Sequence, residues 1–151
     1  MADDSLIMEE LRSKIGAELE PRVYEIEKGM LRRFAQAIGD PNPLWQDEEY
    51  ATKTSYGGII APPTFILTLG FEQIGHTLTV SPSQAVLHGG TELECYQSVR
   101  PGDVVTVTTK ITNVRQRQAK MGKMAFITLD ITYKNQRQEV IARCRQVAVI
   151  Y

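Results

Sequence analysis

Residues 39–45 read Gly-Asp-Pro-Asn-Pro-Leu-Trp, a polar turn with two prolines in four positions. Proline cannot continue a helix and restricts the residue before it, so the segment is a rigid turn. In such a turn Asp40 and Asn42 are suited to accepting local backbone N–H bonds. The other residues able to do chemistry are sparse. There are two histidines, His76 and His88, and two cysteines, Cys95 and Cys144. No Cys/His group has metal-ligand spacing, so no metal is expected. Both cysteines lie in strand-like patterns and are expected to be reduced, not to form a disulfide framework. Arg115, Arg117, Lys120 and Lys123 cluster around a hairpin. Their charge suits a phosphate, and equally a solvated hairpin tip.

The elements that hold these residues follow from periodicity. Leu11, Ile15 and Leu19 recur at helical spacing within Ser5 to Leu19, ahead of Pro21. Arg22 to Glu27 alternates like a short strand. Met30, Leu31, Phe34, Ala35 and Ile38 make one face of a helix over about Gly29 to Ile38, which Gly39 ends. The stretch up to Gly58 is irregular. Ala61-Pro62-Pro63-Thr64 reads as a helix entry, because proline is tolerated in a first turn. Phe65, Ile66, Leu67, Leu69, Phe71 and Ile74 then predict a helix apolar all round and buried on all sides. From about Thr91 the period switches to two. Val105, Val107, Thr109 and Ile111 share one strand face, Met124 to Tyr133 alternates, and Val140 to Ile150 is the last strand. Met121-Gly122 and Asn135-Gln136 are expected turns. Gly89 and Gly90 predict a bulge or a close backbone approach. Antiparallel strands with one apolar helix imply an α+β layer arrangement.

The chain has 151 residues, 42% hydrophobic and 23% charged, with a net charge of −1. That suits a single domain over 1–151. The near-neutral charge gives no electrostatic case for nucleic acid or an anionic membrane. No apolar run approaches the roughly 20 residues of a membrane span. The acidic N-terminus lacks a signal-peptide pattern, so a cytoplasmic protein is expected.

Three strings carry a resemblance. GDPNPLWQDEEYA at Gly39 to Ala51 resembles the hydratase motif GDxNPLHxDxxxA of MaoC-like hot-dog proteins. YGGIIAPPTF at Tyr56 to Phe65 resembles that family's FGxxIAHGML. LHGGTELECYQSVRPGDVVTVTTKI at Leu87 to Ile111 resembles the fatty-acid-synthase-type dehydratase branch. The resemblance runs from about Ile15 to Tyr151. It implies a hot-dog fold, an antiparallel sheet wrapped around a buried central helix.

The resemblance also implies a chemistry. Water adds across the double bond of an enoyl thioester, with an Asp and a His in reach of one water acting as base and acid. Backbone N–H groups at the helix entry hold the thioester oxygen. Asp40 matches the Asp and Asn42 the Asn, but Trp45 stands where the family has its His. Ala61-Pro62-Pro63 stands where it has Ala-His-Gly, and Pro63 has no N–H. Losing a general acid/base costs on the order of 10²–10⁴ in rate. The expected role is therefore that of the subunit that binds the acyl chain, paired with a catalytic MaoC-like subunit. The alternatives are an active homodimer, with Asp40 as base and His88 as substitute acid/base, and a non-enzymatic acyl-CoA-binding protein. The substrate-binding candidates are Asn42, Trp45, Ala61, Pro62, Pro63, Thr64, Phe65, Gly89 and Gly90. The ligand implied is an acyl-CoA or acyl-carrier thioester, with no further cofactor.

Overall fold

A computed structural model describes residues 4–78, 84–120 and 122–151. Helix α1 is Asp4–Ser13, β1 is Arg22–Glu25 and α2 is Lys28–Ala37. A 3₁₀ turn at Pro43–Trp45 and a short helix α3 at Glu48–Thr52 occupy the irregular stretch. A second 3₁₀ segment, Pro63–Thr68, leads to α4, Phe71–Leu78. The strands β2 (Val86–Cys95), β3 (Val104–Ala119), β4 (Gly122–Lys134) and β5 (Val140–Ile150) follow. All five strands form one antiparallel sheet in the order β1-β3-β4-β5-β2.

The alternation expected of β3 and β4 decides which side is the core. Val105, Val107, Thr109 and Ile111 are buried, as are Ile127, Leu129, Ile131 and Tyr133. The α4 residues Ile74 and Leu78 belong to the same buried cluster. The opposite face is a row of alternating charge. Lys110 pairs in register with Asp130, Asp130 with Arg145, and Arg145 with Glu92. Arg145 donates from Nε and Nη2 to the two carboxylate oxygens of Asp130, at 2.7 and 2.9 Å. That arrangement holds the Asp130 carboxyl below its usual range, chiefly through these hydrogen bonds.

Two expectations need correction. The first helix ends at Ser13, not Leu19. Gly16 has a φ of +86°, and its N–H reaches Ile111 O at 2.8 Å. Leu19 N–H reaches Thr109 O, also at 2.8 Å. The segment satisfies its backbone on the edge of β3, and this overrides a helical spacing whose middle member, Ile15, is 43% exposed. The second correction concerns the helix apolar all round. It is two pieces, broken at Gly70, whose φ is +82°. A side chain there would lie 3.1 Å from Cγ1 of Val107, so the backbone approaches the sheet closely. Phe71, just past the break, is 67% exposed, so the segment is not buried on all sides.

The hydroxyl of Tyr24 spans this break. It accepts the Gly70 N–H at 3.0 Å and donates to the Glu72 carboxylate. The Glu72 carboxyl is held below its ordinary value, first by that hydrogen bond. A depressed carboxyl contributes stability at pH above the usual carboxylate range and loses it as pH falls through the folded value. Tyr24→Phe is therefore expected to be destabilising at neutral pH, with the gap to wild type narrowing in acid. Urea unfolding across pH measures this; a gap independent of pH counts against the Glu72 contribution.

Strand β2 begins at Val86, five residues before the expected start. The register with β5 shifts between His88 and Gly90, the bulge expected of this glycine pair. At Gly89 an added Cβ would meet Val147 O at 2.9 Å, whereas at Gly90 it would meet nothing. The Asn135-Gln136 turn is also present. Asn135 Oδ1 accepts from Arg137 N at 2.9 Å and Glu139 N at 3.1 Å. In the β3–β4 hairpin Ala119 pairs with Gly122, while Met121 lies outside the described residues. Gly89→Ala is expected to cost about 1–3 kcal/mol by overpacking against the β5 backbone, and Gly90→Ala much less. Chemical denaturation of both variants tests this; equal costs would remove the close-approach reading.

Candidate functional site

The site begins where α2 stops. Gly39, with a φ of +67°, follows the helix end. Its N–H bonds Gln36 O at 3.1 Å, and the next N–H, of Asp40, bonds Ala35 O at 2.9 Å. This paired closure of the last carbonyls delivers Asp40 to a fixed place. The Asp40 carboxylate then takes two donors. Oδ1 accepts the Asn42 N–H at 3.0 Å, and Oδ2 accepts the indole N–H of Trp45 at 2.8 Å. Asn42 Oδ1 accepts the Leu44 N–H at 3.0 Å, which starts the 3₁₀ turn carrying Trp45 inward. Trp45 is buried.

Trp45 forms one wall of an apolar pocket of about 190 Å³. Ile60 to Pro63 and Ile66 supply the helix-entry wall. The run is anchored to the sheet side by Ala61 N–H bonding Val99 O at 2.8 Å. Cys95 to Val99, with Ala142 and Tyr56, close the rest. Of the residues expected from sequence, Trp45, Ala61, Pro62 and Pro63 thus meet at one pocket, and Asp40 and Asn42 hold Trp45 in place. Phe65 points elsewhere: it is buried edge-to-face against Phe34, with ring centroids 5.7 Å apart. Thr64 is exposed.

His88, Gly89 and Gly90 are not at this pocket. They lie seven to five residues from Cys95 along β2, some 15–25 Å at the rise of a strand. His88 Nε2 sits 3.0 Å from Thr91 Oγ1. His76 lies in the last turn of α4. The basic cluster Arg115, Arg117, Lys120 and Lys123 sits at the far end of the β3–β4 hairpin, with Arg117 5.8 Å from the centroid of the Phe126 ring. From Gly122 to Tyr133, at the pocket end of β4, is roughly 35 Å.

Sequence reasoning did not select Tyr56, Tyr96, Gln97 or Ser98 as lining residues. Their signal was weak: Tyr56 opens the second matched string and Tyr96 to Ser98 lie inside the third, and only the fold brings them together. Cys95 lines the pocket too, with its thiol pushed up by burial. A raised thiol pKa lowers the thiolate fraction, so Cys95 is not an activated nucleophile. Both cysteines are free. Among the described residues no cluster of His, Cys, Asp and Glu could hold a metal ion, and no helix is long and apolar enough to cross a membrane.

The model for the FAS1-like dehydratase domain region matches residues 13–144. The chain belongs to that family. The UPF0336 protein of Thermobifida fusca is 38% identical over 100 residues, which span 63% of this chain and 65% of that one. A probable enoyl-CoA hydratase alpha subunit of Thermomonospora curvata is 28% identical over 89% of this chain and 49% of its own length. The chain therefore spans just under two thirds of the first relative and about half of the second. Among solved structures, the MaoC-like dehydratase of Rhodospirillum rubrum superposes with a TM-score of 0.66 at 27% identity, covering 91% of this chain and 92% of that one. The HadBC (3R-hydroxyacyl-ACP dehydratase) complex of Mycobacterium tuberculosis has a chain with a TM-score of 0.76 at 19% identity, covering 90% and 96%. These likenesses establish the hot-dog fold expected from sequence.

The Asp40–Trp45 bond carries a stability expectation. Trp45→Phe keeps an aromatic ring but removes the N–H, leaving Asp40 Oδ2 without its donor. It is expected to lower stability by about 1–2 kcal/mol. Since Trp45 is the single tryptophan, unfolding is followed by circular dichroism. An unchanged urea midpoint would show that the bond contributes nothing.

Proposed function

We propose that this chain is the acyl-binding, non-catalytic hot-dog subunit of an (R)-specific enoyl-thioester hydratase or 3-hydroxyacyl-thioester dehydratase. It works beside a second hot-dog subunit that carries an intact Asp/His pair. The observation that carries this reading is the partner of Asp40. Water addition needs a base and an acid within reach of one water. Both oxygens of Asp40 already accept N–H donors, one from the indole that stands in place of the family's histidine. An indole N–H donates and does not titrate in the working range, so it cannot return a proton.

The pocket supports the binding half of the proposal. It is apolar, it sits beside Trp45, and its helix-entry wall carries Pro62 and Pro63. Pro63 contributes shape but no N–H to a developing oxyanion. The relatives support the pairing half: one is named as the alpha subunit of a hydratase, and one structural neighbour is a complex. The homodimer reading, with His88 as acid, finds less support, since His88 lies at the other end of β2 from the pocket. The proposed role needs no cofactor beyond the carrier of the thioester, and a cytoplasmic location suits it.

The test is to assay crotonyl-CoA hydration with the purified chain, alone and after co-expression with a small hot-dog protein that has the Asp-x4-His spacing. No turnover alone and turnover in the complex is the expected pattern. Full activity of the isolated chain, abolished by Asp40→Asn, would sink the non-catalytic assignment and favour the homodimer.

A further inference from the structure

The apolar pocket does not stop at its polar rim. Gln97 and Ser98 line it, and they also line a second, polar pocket of about 310 Å³ that holds Arg100, Asp103 and Arg137. The two pockets therefore share a rim at those residues. Alone, the first is smaller than the ~300–1,000 Å³ of most ligand sites, so a full-sized ligand seated there would reach over that rim.

Arg100 marks the seam. Its Nη2 donates to Tyr56 O at 2.6 Å, and Tyr56 belongs to the apolar pocket. Its Nη1 lies over Gly58, 3.6 Å from where a Cβ would be. The side chain is thus held at the boundary by a carbonyl and by a residue with nothing to displace it. No carboxylate among the described residues pairs with its guanidinium. A guanidinium has five N–H donors, so most remain for a ligand. Asp103 lies in the same pocket and is tied to its own turn: Oδ2 accepts the Arg100 backbone N–H at 2.8 Å and Oδ1 accepts Gln136 Nε2 at 3.1 Å. Arg137 adds a second cation, which Glu139 already engages through Nε at 3.0 Å and Nη2 at 2.9 Å, leaving its other N–H donors.

We propose that Arg100, assisted by Arg137, binds the phosphate of the thioester's 4′-phosphopantetheine carrier. The order of groups along the path matches the order along such a ligand. An apolar acyl end meets the apolar pocket, an amide-bearing arm meets Gln97 and Ser98, and a phosphate meets the two guanidinium groups. Arginine's planar fork is well matched to phosphate oxygens. This rests on the acyl-binding reading above and assigns the anion site to the pocket mouth, not to the distant basic hairpin. The same phosphate is carried by coenzyme A and by an acyl carrier protein.

The experiment compares two probes on the full chain by calorimetry: crotonyl-4′-phosphopantetheine and crotonyl-pantetheine, which differ only in the phosphate. The wild type is expected to bind the first about tenfold or more tightly, with the preference shrinking in salt. Arg100→Gln should remove most of that preference and leave the pantetheine thioester within about twofold. Arg137→Gln, on an exposed turn where the fold is not at stake, should remove part of it. The crotonyl thioesters of coenzyme A and of a carrier protein are run alongside, and sensitivity of one or both to Arg100→Gln names the source of the phosphate. Equal binding of the two probes by wild type overturns this assignment alone. So does an equal loss for both probes in both variants, which is what a merely structural clamp on Tyr56 would give. Binding of neither probe overturns the acyl-binding reading along with it.

Discussion

The turn after α2 has two N–H groups to satisfy, and the Asp40 carboxylate has two oxygens to offer. Asn42 takes one and the indole of Trp45 takes the other. Everything at the pocket depends on that match. It ties the turn after α2 to the indole and makes a wall of a ring that would otherwise be free to rotate. The same contact puts a non-titrating indole N–H where water addition needs an acid/base partner for the carboxylate. One interaction thus gives the site its shape and takes away its chemistry, so geometry and function need not be argued separately.

Much of this was legible in the sequence. The period-two alternation of β3 and β4 placed Val105, Ile127 and their neighbours on one face, because a strand leaves a side chain no other choice. The paired prolines and Gly39 marked the turn, since their backbone preferences are local and strong. The bulge at Gly89 and Gly90 followed for the same reason. What failed was the reading of amphipathic spacing as helix where tertiary partners compete for the backbone. Leu11, Ile15 and Leu19 have helical spacing, but the N–H groups of Gly16 and Leu19 are satisfied by β3 carbonyls. Likewise the apolar run from Phe65 to Ile74 is cut by Gly70, whose contact with Val107 is long-range.

The site was legible only in its first half. Trp45, Pro62 and Pro63 stood out because they depart from a motif, and Ala61 because it keeps its place in one. Tyr56, Tyr96, Gln97 and Ser98 complete the pocket but carry no local signal, because long-range contacts bring them there: Tyr96 and Gln97 through Ile141 O, Tyr56 through Arg100. His88 had the right chemistry in the wrong place. Only strand length, and not residue type, separates it from the pocket.

The charged row across the outer face of the sheet has a consequence of its own. Lys110, Asp130, Arg145 and Glu92 alternate in sign from strand to strand. Such a row has little net field and no apolar area. It attracts neither a polyanion nor another sheet, and Arg145 already spends its fork on Asp130. Face-to-face stacking would strip water from every member with nothing to replace it. The two sides of the sheet therefore have different prospects for contact. Face-to-face stacking on this row is therefore disfavoured, whereas β1 and β2 stand at the two edges of the sheet, where a strand can be added.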